Sequence, residues 1–348
     1  MKLSTPRWWY RRDGAPGLVT RTVLQPVSWV WAAATERRIA AGKPRRVKAP
    51  VICVGNLTVG GAGKTPVVRE ILRHLTEAGL TAQGLSRGYG GRLVGPVLVD
   101  PTRHAAADVG DEPLMLARDY PIWVAHHRAS GAQAAAEAGA EVIVMDDGHQ
   151  NPSVAKALSL VVVDGETRDD EWPFGDGAVF PAGPLREPLK RGLARADAVV
   201  LLLPADLEAP DPQLLAVFGK LPVLIARLEP DHAPPAGRQL GFAGIGKPWK
   251  VERALKAAGC DLVDFIRFAD HQVYDEGTLK ALAAQAGARG AGMVTTEKDW
   301  TRLPPAWRSR IALWPVRARF EDEDALTEVL VDAHILKRKR RERAADDG

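Results

Sequence analysis

The stretch VICVGNLTVGGAGKTPVVREILRHLTEAG, residues 51–79, constrains the fold more than any other part of the chain. An apolar run of strand length ends in a glycine-rich turn and opens directly into a segment with helical periodicity. That order aims successive backbone N–H groups and the positive end of a helix at one point, which favours a phosphate. Gly63-Lys64-Thr65 closes the pattern G-x-x-x-x-G-K-[ST], in which the lysine neutralises the β- and γ-phosphates and the hydroxyl ligates Mg²⁺. Thr58 stands where the first glycine of that pattern belongs. Gly60, Gly61 and Gly63 still allow close backbone approach, so the departure concerns the loop's shape rather than its ligand. The expected nucleotide-binding set is Thr58, Val59, Gly60, Gly61, Ala62, Gly63, Lys64 and Thr65, with ATP as donor and Mg²⁺ as counter-ion.

Further apolar runs (TAQGLSRG, PIWVAHH, EVIVMDD, LSLVVVDG and ADAVVLLLP) alternate with helix-like segments, the signature of a parallel sheet covered by helices. The expected fold is α/β: a P-loop NTPase-like parallel sheet domain over 47–220 and a second, smaller α/β domain over 221–322. An N-terminal interfacial segment over 1–46 and a C-terminal helix with a basic tail over 323–348 complete the division. The proline- and acid-rich run PADLEAPDPQ, residues 204–213, marks the expected connection near the domain boundary. GFAGIGK, residues 241–247, fits the G-x-x-x-x-G-K spacing better than the first loop does. Pro248 follows it, with no hydroxyl for a metal and no N–H for a phosphate, so it reads as a strand and a turn.

Asp146 and Asp147 end an apolar strand and are thereby delivered to the carboxyl edge of the sheet, where they can hold Mg²⁺ directly or through water. Transfer to a hydroxyl also needs a group that accepts or orients the acceptor's proton. The candidates lie in VGDEP (Asp111, Glu112) and FADHQ (Asp270, His271), and an Asp–His pair would work near neutral pH. TEKD, residues 296–299, lacks the lysine of the guanine code N-K-x-D, which leaves ATP as the default.

Two cysteines, Cys53 and Cys260, exclude a disulfide framework and have no metal-ligand spacing, which fits a reducing compartment. The net charge is only +4, but Arg37, Arg38, Lys43, Arg45, Arg46 and Lys48 cluster near one end and KRKRRER, residues 337–343, near the other. Such clusters attract polyanions. Four of the ten tryptophans, Trp8, Trp9, Trp29 and Trp31, fall beside an apolar segment over residues 18–34, which selects an anionic membrane surface over nucleic acid. Arg21, Gln25 and Pro26 interrupt that segment, so it is not expected to span a bilayer. Two readings stand for it: a helix lying in the membrane interface, and a helix docked on the protein's own core. The C-terminal basic run reads as a solvated tail.

Together VGNLTVGGAGKTP, GLSRGYGG, VGDEP, Arg128, DDGHQN, FPAGPLREP, FAGIGKP, FADHQVY and VTTEKD resemble, in order and over most of the chain, the tetraacyldisaccharide 4′-kinases. The resemblance implies transfer of the ATP γ-phosphate to the 4′-hydroxyl of a tetraacyldisaccharide 1-phosphate, by a peripheral enzyme at the cytoplasmic face of the bacterial inner membrane. It implies that Lys64 and Thr65 serve the phosphates and Mg²⁺, with Asp146 and Asp147 on the metal side. It makes Asp111 the base, or the group that orients the acceptor, with His271 as its partner, and puts Glu112, Arg128, Glu187 and Asp270 around the site. His149 and Asn151 depart from the family's usual residues. The competing readings are another P-loop kinase or NTPase with a soluble acceptor, and a non-catalytic nucleotide-gated scaffold.

Overall fold

A computed structural model describes residues 6–12 and 17–337. The basic run beyond Lys337 and the first five residues lie outside that range. In chain order the strands are β1 (Val51–Gly55), β2 (Ala82–Ser86), β3 (Val97–Leu98), β4 (Ile122–Val124), β5 (Val142–Asp146), β6 (Leu158–Asp164) and β7 (Ala198–Pro204). They continue as β8 (Val223–Pro230), β9 (Gln239–Ala243), β10 (Leu262–Arg267), β11 (Gly292–Thr295), β12 (Ala312–Leu313) and β13 (Val316–Phe320). The larger sheet has nine strands in the order β13-β8-β7-β6-β1-β5-β2-β4-β3, parallel except at its two ends. The smaller has four, all parallel, in the order β10-β9-β11-β12.

β1 is buried along its whole length because both faces of the sheet are covered. Ile52 and Val54 join a core with Val67, Ile71 and Leu75 of helix α2 (Lys64–Glu77), while Val51 and Cys53 pack on the opposite face with Ala132 and Ala135. β1 lies between β5 and β6, in register Val54 to Asp146 and Val54 to Leu160. The phosphate loop, Asp146 and Asp164 therefore leave the sheet at one carboxyl edge.

The domain boundary expected at 220/221 is corrected by this topology, since β8 and β13 both belong to the large sheet and pair antiparallel. The small sheet is inserted between those two strands. The run 204–213 is a βα connection inside the large sheet: its Asp211 accepts from Gln213 N, 2.8 Å, and caps the helix Pro212–Val217. Proline and acid mark a helix start as readily as a linker, which is why composition misplaced the boundary.

The N-terminal helix α1, expected at the membrane, runs without a break over Leu18–Ala40, with Pro26 inside it. The reading of a helix docked on the protein's own core holds for one side of it. On one side Ser28 Oγ accepts from Ala182 N (3.0 Å), Trp31 Nε1 donates to Arg186 O (3.1 Å) and Arg21 pairs with Asp176 (2.6 Å). On the other, Val19, Val23, Val27, Trp29 and Val30 are exposed. Among the described residues no helix is long and apolar enough to cross a membrane.

Candidate active site

The phosphate loop is shaped by Asn56 and by the segment around Arg186. Gly63, at φ 79°, turns the loop into α2, in a region that side chains rarely adopt. Asn56 Nδ2 donates to Thr58 O (2.8 Å), as does Arg186 Nε (2.9 Å). Val59 N donates to Pro184 O (2.7 Å) and Arg186 N to Leu57 O (2.8 Å), so the FPAGPLREP segment runs alongside the loop as a short bridge. Thr58 thus contributes its carbonyl to the loop's scaffold and does not line the cavity, whereas Val59 through Thr65 do. The first glycine of the usual pattern is dispensable here because these side chains fix the turn.

Lys64 Nζ lies 3.3 Å from Asn56 Oδ1 and 3.6 Å from Asp147. Asp147, at φ 50°, is also held by Arg186 at 2.8 Å. Burial would raise its carboxyl, but Lys64 and Arg186 bring it down to about 2. Asp146 is different. It is 2 % exposed, its Oδ1 has no hydrogen-bond partner, and burial, with Glu112 and Asp147 nearby, pushes it up to about 7 against the pull of Lys64 and Arg128. A buried carboxylate oxygen without a partner, on a cavity that Thr65 also lines, suits a hard cation that takes few protein ligands and completes its shell with phosphate and water. The residues therefore fit Mg²⁺, with Asp146 and Thr65 as the donors and Asp147 turned to the cations.

Across the cavity, of about 1340 Å³, stands the smaller unit. His271, at φ 56° in the turn after β10, places Nδ1 2.9 Å from Asp111 Oδ2. Asp111 begins the helix Asp111–Leu116 and is 5 % exposed, behind the cavity wall that His271, Glu112 and Asp270 line. Burial would raise the Asp111 carboxyl, yet the His271 hydrogen bond and the charges of Lys298 and Arg302 hold it far below the usual carboxylate range. Lys298 pairs with Glu112 (3.0 Å) and reaches Asp270 (3.7 Å). Tyr89 brings its ring to 5.3 Å from that of His271. The two units therefore meet at this pair.

Arg128 lines the same cavity, buried, donating to Ala125 O (3.0 Å) and Asp146 O (3.4 Å). Glu187 is not at the cavity. It accepts from Arg195 at 2.7 Å and from Gln150 at 3.0 Å, and Gln150 donates in turn to Asn56 O at 2.9 Å, so Glu187 braces the start of the loop from behind. His149 is a core residue, with Nδ1 3.1 Å from Ser159 Oγ and Nε2 2.9 Å from Gly192 O. Asn151 Oδ1 accepts from Ser153 N (2.8 Å) and closes a turn.

A sequence profile of the tetraacyldisaccharide-1-P 4′-kinases matches residues 20–334. The chain belongs to this family. It is 67% identical over 330 residues to the tetraacyldisaccharide 4′-kinase of Caulobacter sp. (strain K31), covering 95% of this chain and 98% of the relative. It is 48% identical over 334 residues to that of Maricaulis maris (strain MCS10), covering 95% and 96%. The crystal structure of LpxK from Aquifex aeolicus in complex with ATP superposes with a TM-score of 0.71 at 25% identity, covering 90% of this chain and 99% of that one.

In this kinase several residues that the motifs did not single out support the site. Arg302 approaches Asp111 Oδ2 at 3.1 Å with Nε and donates from its two terminal nitrogens to Gln272 O (3.1 Å) and Gly244 O (3.0 Å). One guanidinium thus fastens Asp111 to the turn that carries His271. Asp299, fully buried, accepts from Gly244 N (2.9 Å) and Tyr274 OH (2.6 Å) and secures the same turn. Asp299 lies in the TEKD run, which reads as a failed guanine code and a family motif without a role for this residue, and Arg302 lies three residues beyond it. GFAGIGK is a strand and a turn, as read. Gly246 packs on the phosphate loop, where a Cβ would come 2.8 Å from Gly61 N, and Lys247 pairs with Asp164 at 2.6 Å.

Proposed function

We propose that this kinase transfers the γ-phosphate of ATP to the 4′-hydroxyl of a tetraacyldisaccharide 1-phosphate, giving the 4′-phosphorylated lipid A precursor. The observation that carries the reading is a cavity with a phosphate loop on one wall and the Asp111–His271 pair on the other. It supplies a place for the donor and, opposite it, an acid–base unit for the acceptor. The relatives' names supply the acceptor.

Loop N–H groups and Lys64 carry the charge of the β- and γ-phosphates while the acceptor oxygen attacks the γ-phosphorus and the oxygen bridging it to the β-phosphate leaves on ADP. The acceptor's proton passes to the Asp111–His271 pair, which we treat as one titrating unit. Arg302 and Lys298 keep Asp111 anionic. Mg²⁺, held by Asp146 and Thr65, would offset the phosphates' negative charge. Glu112, Asp270 and Arg128 line the volume left for the sugar.

An acceptor with four acyl chains stays in its bilayer, so the enzyme must work at the surface. The exposed valines and Trp29 of the N-terminal helix, with the basic residues that follow it, support a peripheral site of action. Because ATP is cytoplasmic, we place that site on the cytoplasmic face of the inner membrane. Incubation with γ-labelled MgATP and the lipid acceptor in mixed micelles tests the whole reading. Label in the lipid, lost in Lys64→Ala and Asp111→Ala, supports it; ATP hydrolysis with unlabelled lipid refutes the acceptor.

A further inference from the structure

Tyr10 precedes the family match, which begins at residue 20, yet it touches the phosphate loop. Its hydroxyl donates to Val59 O, its side chain is 2 % exposed, and Lys247 Nζ sits 4.1 Å from its ring centroid. The short turn that carries it, Arg7–Tyr10, is anchored independently. Trp172 N donates to Tyr10 O, Arg12 N donates to Asp170 O (3.3 Å), and Trp9 packs edge-on against Phe180 at 6.0 Å. Phe180 in turn contacts Trp31, at 4.9 Å, and belongs to the segment whose backbone runs alongside the loop.

We infer that Tyr10 is a positioning residue of the nucleotide site. Val59 is the residue just before Gly60, so its peptide orientation sets where the following N–H groups point. Pro184 O holds its N–H from one side and Tyr10 holds its C=O from the other. A loop fixed at both groups presents its donors to phosphate without first having to order, which tightens nucleotide binding at no direct contact with the nucleotide. The cation over the ring lies on Gly246-Lys247 of the smaller unit, so the same side chain joins the N-terminal turn, the loop and the second unit at one point.

This inference rests on the nucleotide reading of the loop, and the test separates the two. MgADP binding to the full chain is measured by calorimetry without any lipid, for wild type and Tyr10→Phe, which removes only the hydroxyl. Loss of one neutral hydrogen bond predicts a Kd raised about two- to tenfold. The KM for MgATP should rise in parallel, with kcat and the lipid KM unchanged. A purely structural role would instead lower kcat through a smaller active fraction and leave Kd alone. Equal Kd values in a folded Tyr10→Phe overturn the inference. Absence of MgADP binding in the wild type overturns the nucleotide reading and the inference with it.

Discussion

His271 and Asp111 lie 160 residues apart in the chain and 2.9 Å apart in space, one from each of the two units, on the same side of the cavity. Neither residue alone marks a site, since an Asp at a helix start and a His in a turn are ordinary. Their meeting is produced by the insertion of the small sheet between β8 and β13, which returns the chain to the large sheet's edge.

The pair's role makes a kinetic prediction. His271→Ala and Asp111→Asn should each lower kcat by about 10²–10⁴-fold, the range for general acid–base groups, with the KM for MgATP little changed. The double variant should be no worse than the poorer single one, because the two act as a unit. Additive losses in initial-rate measurements would separate their roles.

Arg302 should show in the same assay as a residue acting through others. Arg302→Ala leaves the Gln272 and Gly244 carbonyls and Asp111 without their shared donor, and the loss of about one to two kcal/mol of positioning lowers kcat by about 5- to 30-fold. Arg302→Lys keeps the charge but not the three-point geometry, so it should recover only part. MgADP affinity should stay at the wild-type value in both. Full rescue by lysine would show that charge alone matters.

The legible part of this molecule was its local part. Strands β1, β2 and β4 through β7 were readable because each is a short apolar run bounded by turn residues, and the phosphate loop because strand, glycines and Lys-Thr are contiguous. Arg302, Gln150 and Tyr10 were not, because each acts on atoms far away in sequence and has no spacing rule. β3, two residues long, has too little pattern to register. The misplaced domain boundary has the same origin, since the strand at 223–230 looks alike whichever sheet it joins.

His149 links the fold to pH. Burial pushes its imidazole down to about 4, even though the Gly192 carbonyl favours the charged ring. Gly192 O can only accept, so Nε2 carries the hydrogen and Nδ1 accepts from Ser159, an arrangement complete in the neutral ring. With the folded value below the unfolded one of about 6.5, the unfolded chain binds more protons between the two. The contribution is therefore full above pH 6.5 and lost as pH falls toward 4, by up to roughly 3 kcal/mol. Thermal unfolding of His149→Leu across pH 4–7 should show a flatter dependence than wild type. Parallel curves would assign the acid sensitivity to other groups.

The N-terminal helix supplies the last prediction. Val19, Val23, Val27 and Val30 recur at helical spacing on the side away from the docked Ser28 and Thr35, with exposures of 79%, 70%, 54% and 70%. A helix whose only task was to pack on the core would not keep such a row in water, because burying a valine side chain returns about 1.5 kcal/mol or more. At a bilayer surface the same row enters the acyl boundary while Arg37 and Arg38, in the last turn, meet anionic headgroups. Val23→Asp with Val27→Asp should abolish flotation with anionic vesicles and raise the lipid KM, yet leave MgADP binding and the unfolding temperature near wild type, since neither side chain touches the core. Zwitterionic vesicles should bind the wild type more weakly, and added salt should weaken binding further by screening the basic cluster. Flotation of the double-aspartate variant at wild-type yield would move the membrane contact to another surface.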